Sequence, residues 1–120
     1  MIKETSTNNL NKKGILIQCP VTFTLNKIGG RWKPLILFNL TSGKKRYSEL
    51  KRCIPDITEK MLIQHLKELE QDQLVLRESL PVVPPHVVYS LTKAGNEMQP
   101  ILDAMAKWGL KNNKAGSNDQ

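Results

Sequence analysis

The stretch SELKRCIPDITEKMLIQHLKEL, residues 48–69, decides the fold. Leu50 and Ile54 lie four apart, so Ser48 is expected to cap a short helix that Pro55 terminates, since proline lacks the N–H another turn needs. Thr58 then caps a second helix. Its Leu62, Leu66 and Leu69 form an apolar stripe, while Lys60, Ile63, Gln64 and Lys67 share a different face at i, i+3, i+4 and i+7. A short helix, a turn and a second helix with a free polar face is the layout of a helix-turn-helix.

Upstream, Pro20 suits the first turn of a helix in which Val21, Leu25 and Ile28 recur at helical spacing, and Gly29-Gly30 stops it. Another helix follows, with Trp32, Leu35, Ile36 and Leu40 as its buried stripe. Ser42-Gly43 ends that helix before a basic turn, Lys44-Lys45-Arg46. Downstream the period changes to two. Residues 74–79 alternate as a strand, and His86-Val87-Val88-Tyr89-Ser90-Leu91 is rich in β-branched and aromatic residues, as a second strand should be. Pro81-Val82-Val83-Pro84-Pro85 between them cannot pair inside a sheet and forms a rigid hairpin tip. Thr92 caps a final helix with Ala94, Met98, Ile101, Leu102, Met105 and Trp108 apolar, which Pro100 should bend or restart.

The expected class is therefore mainly α with a small β-hairpin wing, a winged helix-turn-helix. Residues 1–14 read as a flexible N-terminal arm, 15–110 as the winged domain with terminal dimerisation helices, and 111–120 as a flexible tail.

A chain of 120 residues allows one domain of ordinary size and excludes a multidomain enzyme. No apolar run approaches a membrane span, and the opening residues are too polar for a secretory signal, so the expected location is the cytoplasm. Two cysteines and two histidines offer neither a disulfide framework nor a metal-ligand spacing, and no cofactor is called for. Catalytic triads, paired carboxylates and phosphate-cradling loops are likewise missing from the pattern, which argues against an enzyme. Charge is more telling. The chain carries +7, and Lys27 to Arg52 alone holds eight basic residues against Glu49. A lysine-rich face also serves solubility, but concentration in one stretch favours a polyanion.

Ordered pieces of the chain resemble the HxlR family of bacterial transcription regulators: Cys19-Pro20, Ile28-Gly29-Gly30-Arg31-Trp32-Lys33, Arg46-Tyr47-Ser48-Glu49-Leu50, Ile54 to Leu62, Leu66 to Glu70, Pro84-Pro85, Tyr89 to Thr92 and Trp108-Gly109. The match covers residues 19–109. The resemblance implies a homodimer related to MarR-type regulators, with the second helix of the helix-turn-helix in the major groove of double-stranded DNA. It also implies that Cys19 occupies the position where some members sense electrophiles or oxidants. Gln73 departs from the pattern, where glycine is expected.

Base readout falls to Thr58, Lys60, Ile63 and Gln64, with Gln64 suited to adenine and Lys60 to guanine. Ile63 is either a contact to a thymine methyl or an incidental surface residue, and the whole polar face has a solvated helix surface as its plainer alternative. Arg31, Lys44, Lys45, Arg46 and Lys67 are candidates for phosphate contacts, and Arg77 and His86 flank the wing tip. Cys19 sits at a helix start with Lys27, Arg31 and Lys33 along the chain, which favours a thiolate; a buried inert thiol is the alternative. Its candidate disulfide partner is Cys53 of the partner subunit or, equally, a small thiol. The dimer interface is expected from Val21, Leu25, Ile28, Met98, Leu102, Met105 and Trp108. The expected function is a DNA-binding regulator, a repressor on a palindromic operator, switched at Cys19. Two alternatives stay open: a regulator sensing a small-molecule effector without redox chemistry, and a winged helix used for protein–protein interaction.

Overall fold

The computed structural model describes residues 9–10, 16–17, 19–84 and 86–113. The chain divides into two units, one ending at Gly30 and the other beginning at Arg31. In the first unit, two short strands, β1 (Asn9–Leu10) and β2 (Leu16–Ile17), pair antiparallel, with Asn9 opposite Ile17 and Leu10 opposite Leu16. This pairing lies partly within the expected arm, whose other residues fall outside the described ones, as do residues 114–120 of the tail. Helix α1 (Pro20–Ile28) follows, with proline at its start and Gly29 as its C-cap; Gly30, at φ 96°, takes the left-handed turn that glycine permits.

The second unit is built on α2 (Trp32–Leu40), β3 (Lys45–Arg46), α3 (Tyr47–Cys53), α4 (Glu59–Gln71), β4 (Val75–Leu80), β5 (His86–Leu91), α5 (Lys93–Asn96) and α6 (Gln99–Asn112). Helix α2 is the central element, packed against α3, α4, α6 and β5. The core is Ile36, Leu37 and Leu40 of α2, Leu50 of α3, Leu62, Leu66 and Leu69 of α4, Val75 and Val88 of the sheet, and Leu102 of α6. Each such side chain contributes about 1.5–3 kcal/mol on burial. Ile54 and Ile57, both buried, plug the turn between α3 and α4 and fix the angle of the helix-turn-helix. Thr58 caps α4 as the sequence indicates, its Oγ1 accepting from the Met61 N–H at 3.1 Å.

The sequence expectation needs correction at several points. Lys45-Arg46 is not a turn but the third strand of a sheet ordered β3-β5-β4, with Lys45 opposite Tyr89 and Arg46 opposite Val88. The cap of α3 is consequently Arg46 and not Ser48: pairing holds Arg46 extended, and its N–H donates to Glu49 Oε1 at 2.8 Å three residues on. In α2 the buried positions are Ile36, Leu37 and Leu40, which share one face about 100° wide, whereas Leu35 falls outside that arc and is exposed, so the buried stripe is rotated from the expected one to take in Leu37. The restart at Pro100 is real: α5 ends at Asn96 and α6 begins at Gln99 with proline in its first turn. Helix α6 runs on to Asn112, past the expected boundary at residue 110.

Candidate nucleic-acid interface

Because Leu62, Leu66 and Leu69 commit one side of α4 to the core, Lys60, Gln64 and Lys67 are carried to the opposite side, and all three are exposed. Ile63 lies at the edge of that face, 46% exposed. Thr58 is also exposed; its oxygen is taken by the cap, which leaves its hydroxyl proton for an outside acceptor. Gln64 already has an intrahelical partner, donating through Nε2 to Glu68 Oε2 at 3.2 Å. The other oxygen of Glu68 receives Lys33 Nζ of α2 at 2.7 Å. Lys33 above all, and then Gln64, hold the Glu68 carboxyl down to about 2, so it stays ionised.

The basic residues around this face are individually placed. The Arg31 guanidinium stacks over the Trp32 ring at 4.2 Å and reaches Asp56 at 3.8 Å, with both members of that ion pair exposed beside the turn of the helix-turn-helix. Lys45 donates to Ser42 Oγ at 3.0 Å, Arg46 is exposed at the sheet edge, and Lys44 is exposed in the loop before it. Lys51 is used structurally, donating to the Pro55 carbonyl at 3.1 Å past the end of α3. Lys44, Lys45, Glu49, Arg52 and Cys53 ring a hollow of about 360 Å³. Glu49 is held below the usual carboxylate range by the Arg46 N–H, with Arg46, Arg52 and Lys45 adding their charge.

Between α4 and the wing runs a second cleft, about 340 Å³, lined by Ile63, Lys67, Glu70, Arg77 and Tyr89. Arg77 on β4 is opposite Tyr89 on β5, so the strand register aims it at this cleft. His86 opens β5 opposite Leu80, half-buried next to the wing tip, where the Val83–Pro84 peptide is cis; Pro85 lies outside the described residues. The α4 face thus presents Lys60, Gln64 and Lys67, and the cleft brings Lys67 together with Arg77 of the wing.

Cys19 occupies the N-cap of α1 and is half-buried. Its side chain makes no capping hydrogen bond, yet the N–H groups of Thr22 and Val21 in the first turn hold its thiol below the ordinary value. The Thr22 side chain adds to the same effect. Cys53 at the end of α3 is exposed.

The seven expected interface residues separate. Val21 and Leu25 on α1 are exposed at 65% and 59%, and on α6 Met105 and Trp108 are exposed at 51% and 70%. Ile28 and Leu102 are buried within the chain and Met98 is half-buried, so the first two are removed from the surface a partner could touch. The periodicity of α6 counted Leu102 with its neighbours because core and surface apolar positions share one stripe there. Sequence reasoning also missed Lys33 and Glu68. The Gln64–Glu68 spacing of four residues was a legible signal, whereas Lys33 is joined to them only by the packing of α2 on α4.

A three-stranded sheet with its hairpin wing beside a helix-turn-helix, edged by lysine and arginine, defines a winged helix-turn-helix DNA-binding protein. The HxlR-like helix-turn-helix family model matches residues 27–117, and the chain belongs to that family. An uncharacterised HTH-type transcriptional regulator, YybR of Bacillus subtilis strain 168, is 47% identical over 102 residues, covering 85% of this chain and 78% of its own. Among solved structures, the redox regulator HypR in its oxidised form has a TM-score of 0.76 at 48% identity, covering 78% of this chain and 97% of that one. The reduced form of the transcriptional regulator YodB from B. subtilis gives a TM-score of 0.70 at 37% identity, covering 84% and 100%. The protein is a transcriptional regulator and not an enzyme. No helix among the described residues is long and apolar enough to cross a membrane.

Proposed function

We propose that the protein is a cytoplasmic repressor that binds a palindromic operator as a homodimer, with α4 in the major groove and the wing beside it. The observation that carries this reading is the outer face of α4, where Lys60, Gln64 and Lys67 stand exposed opposite a fully apolar inner stripe. Thr58, Lys60, Ile63 and Gln64 supply base contacts; Arg31, Lys44, Lys45, Arg46, Lys67, Arg77 and His86 supply phosphate and wing contacts. Dimerisation uses the exposed apolar residues of α1 and α6, among them Val21, Leu25, Met105 and Trp108, which water would otherwise cover. A two-fold axis then spaces two recognition helices about 34–36 Å apart, one turn of DNA. Quantitative binding to DNA selected from a random pool tests the reading. Gln64→Ala should weaken the selected site by about 1–3 kcal/mol and random DNA little; an equal loss on both, or a monomer by sedimentation, refutes it.

Switching is proposed at Cys19, whose thiol is held low by the start of α1. A peroxide-class oxidant converts the thiolate to a sulfenic acid, and a second thiol displaces water to form a disulfide; Cys53 of the partner subunit or a small thiol can serve. Alkylation of the same sulfur would act alike. Resemblance to a protein described as a redox regulator supports this. DNA binding that is lost on diamide treatment in wild type and retained in Cys19→Ser tests it, and loss that persists in Cys19→Ser refutes it. A second reading, an effector-sensing regulator, is favoured by an apolar groove of about 260 Å³ between α2 and α6, lined by Pro34, Leu35, Phe38, Leu102, Met105 and Ala106.

A further inference from the structure

We infer that Glu68 is a positioning residue for base readout: anchored by Lys33 of α2, its carboxylate fixes the side-chain amide of Gln64 in one orientation on the outer face of α4. The inference rests on Gln64 reading a base, as proposed above.

The two oxygens of Glu68 have separate partners. Oε1 accepts from Lys33 Nζ at 2.7 Å and Oε2 accepts from Gln64 Nε2 at 3.2 Å. An ionised carboxylate only accepts, so it admits the nitrogen end of an amide and repels the oxygen end. A glutamine without such a neighbour offers its donor and acceptor in either order by rotating about its last bond. At Gln64 only one order survives: nitrogen toward Glu68, with Oε1 and the remaining N–H left for an outside partner. Adenine presents a donor at N6 beside an acceptor at N7, which that fixed pair satisfies. Guanine presents two acceptors, N7 and O6, and so sets an oxygen against Oε1.

The anchor makes the orientation persist. An ordinary exposed pair four residues apart on a helix is readily exchanged with water. Here the carboxylate is held from a second helix: the Lys33 side chain is 13% exposed and that of Glu68 38%, at the seam where α2 packs on α4. His65 Nδ1, buried and without a hydrogen bond, lies 3.6 Å from the same Oε1. The carboxyl remains ionised at any pH at which the protein would bind DNA, with Lys33 and Gln64 the leading causes.

The test uses the full chain and duplex DNA selected by it from a random pool, with each base pair of the winning half-site then varied in turn. Wild type should prefer adenine over guanine at one position by roughly tenfold, and Gln64→Ala should abolish that preference. Glu68→Gln replaces the acceptor by an amide that accommodates either order; it should reduce the preference at that position by roughly threefold or more while affinity for random DNA does not fall. Lys33→Met should move the same ratio in the same direction, and stands in should Glu68→Gln fail to fold. A merely structural role would lower affinity for all sequences together and leave the ratio alone. Full preference in both Glu68→Gln and Lys33→Met, with loss in Gln64→Ala, overturns the positioning role and spares the readout. Unchanged preference at every position in Gln64→Ala overturns the readout itself, and the inference with it.

Discussion

The hydroxyl of Thr92 donates to the backbone carbonyl of Gln73 at 2.6 Å, joining the residue that follows the wing to the turn that precedes it. The same oxygen accepts from the Gly95 N–H at 3.0 Å and so starts α5. Gln73 sits at φ 62°, the left-handed region, where a side chain costs about 1–2 kcal/mol relative to its usual conformations. Gln73→Gly should therefore stabilise the protein by about 0.5–1 kcal/mol, the relief exceeding glycine's larger entropy in the unfolded chain. Thr92→Val should destabilise it by about 1–2 kcal/mol through the lost cap and the lost tie. Urea unfolding with an unchanged slope measures both.

Acid should loosen the seam between α2 and α4. The Glu68 carboxyl is lowered from 4.5 to about 2 in the folded chain, chiefly by Lys33. A depressed carboxyl stabilises the fold at pH values above its ordinary one, and that contribution disappears as pH falls from 4.5 toward 2. Thermal midpoints measured across this window should fall less steeply in Glu68→Gln than in wild type.

The cleft between α4 and the wing gives a prediction that separates phosphate from base contacts. Lys67→Ala and Arg77→Ala should each weaken binding to every sequence by a similar factor. Each should also make the slope of log affinity against log salt shallower by about 1, since one condensed counterion fewer is released. Affinity titrations at several salt concentrations decide this.

Cys19 and Cys53 should differ in reactivity in an instructive way. Cys53 is the more exposed, and the N–H groups of Thr22 and Val21 draw the Cys19 thiol below the ordinary value. Iodoacetamide at neutral pH should modify Cys19 first, as followed by peptide mass spectrometry.

The helix-turn-helix and the hairpin wing that follows it were legible in the sequence because each depends on local signals: Thr58 and Thr92 as caps, Pro55 and Pro100 as breakers, the Leu62-Leu66-Leu69 stripe, and a change of period after residue 73. Features set by partners distant in the chain were not. Lys45-Arg46 carries no strand signal of its own, being two basic residues after a glycine, and becomes a strand because β5 has a free edge beside it. Leu102 and Met105 share a helical stripe, but α2 covers one and leaves the other half open, a distinction no periodicity contains. The outer face of α4 followed from the inner stripe; the Lys33–Glu68 tie that disciplines it needed the fold.

The short strand β3 has a consequence for how the molecule comes apart. Its pairing of Lys45 with Tyr89 and Arg46 with Val88 closes one chain loop around both helices of the helix-turn-helix. The loop-closure entropy is then met only when β5 is in place, so α3 and α4 cannot gain their full stability before the wing forms. Excised as a fragment, the recognition segment would lose its sheet edge along with the extended backbone that starts α3. In the intact chain, the DNA-reading helices and the wing should therefore open together, with hydrogen-exchange protection of α4 and β5 lost in one step.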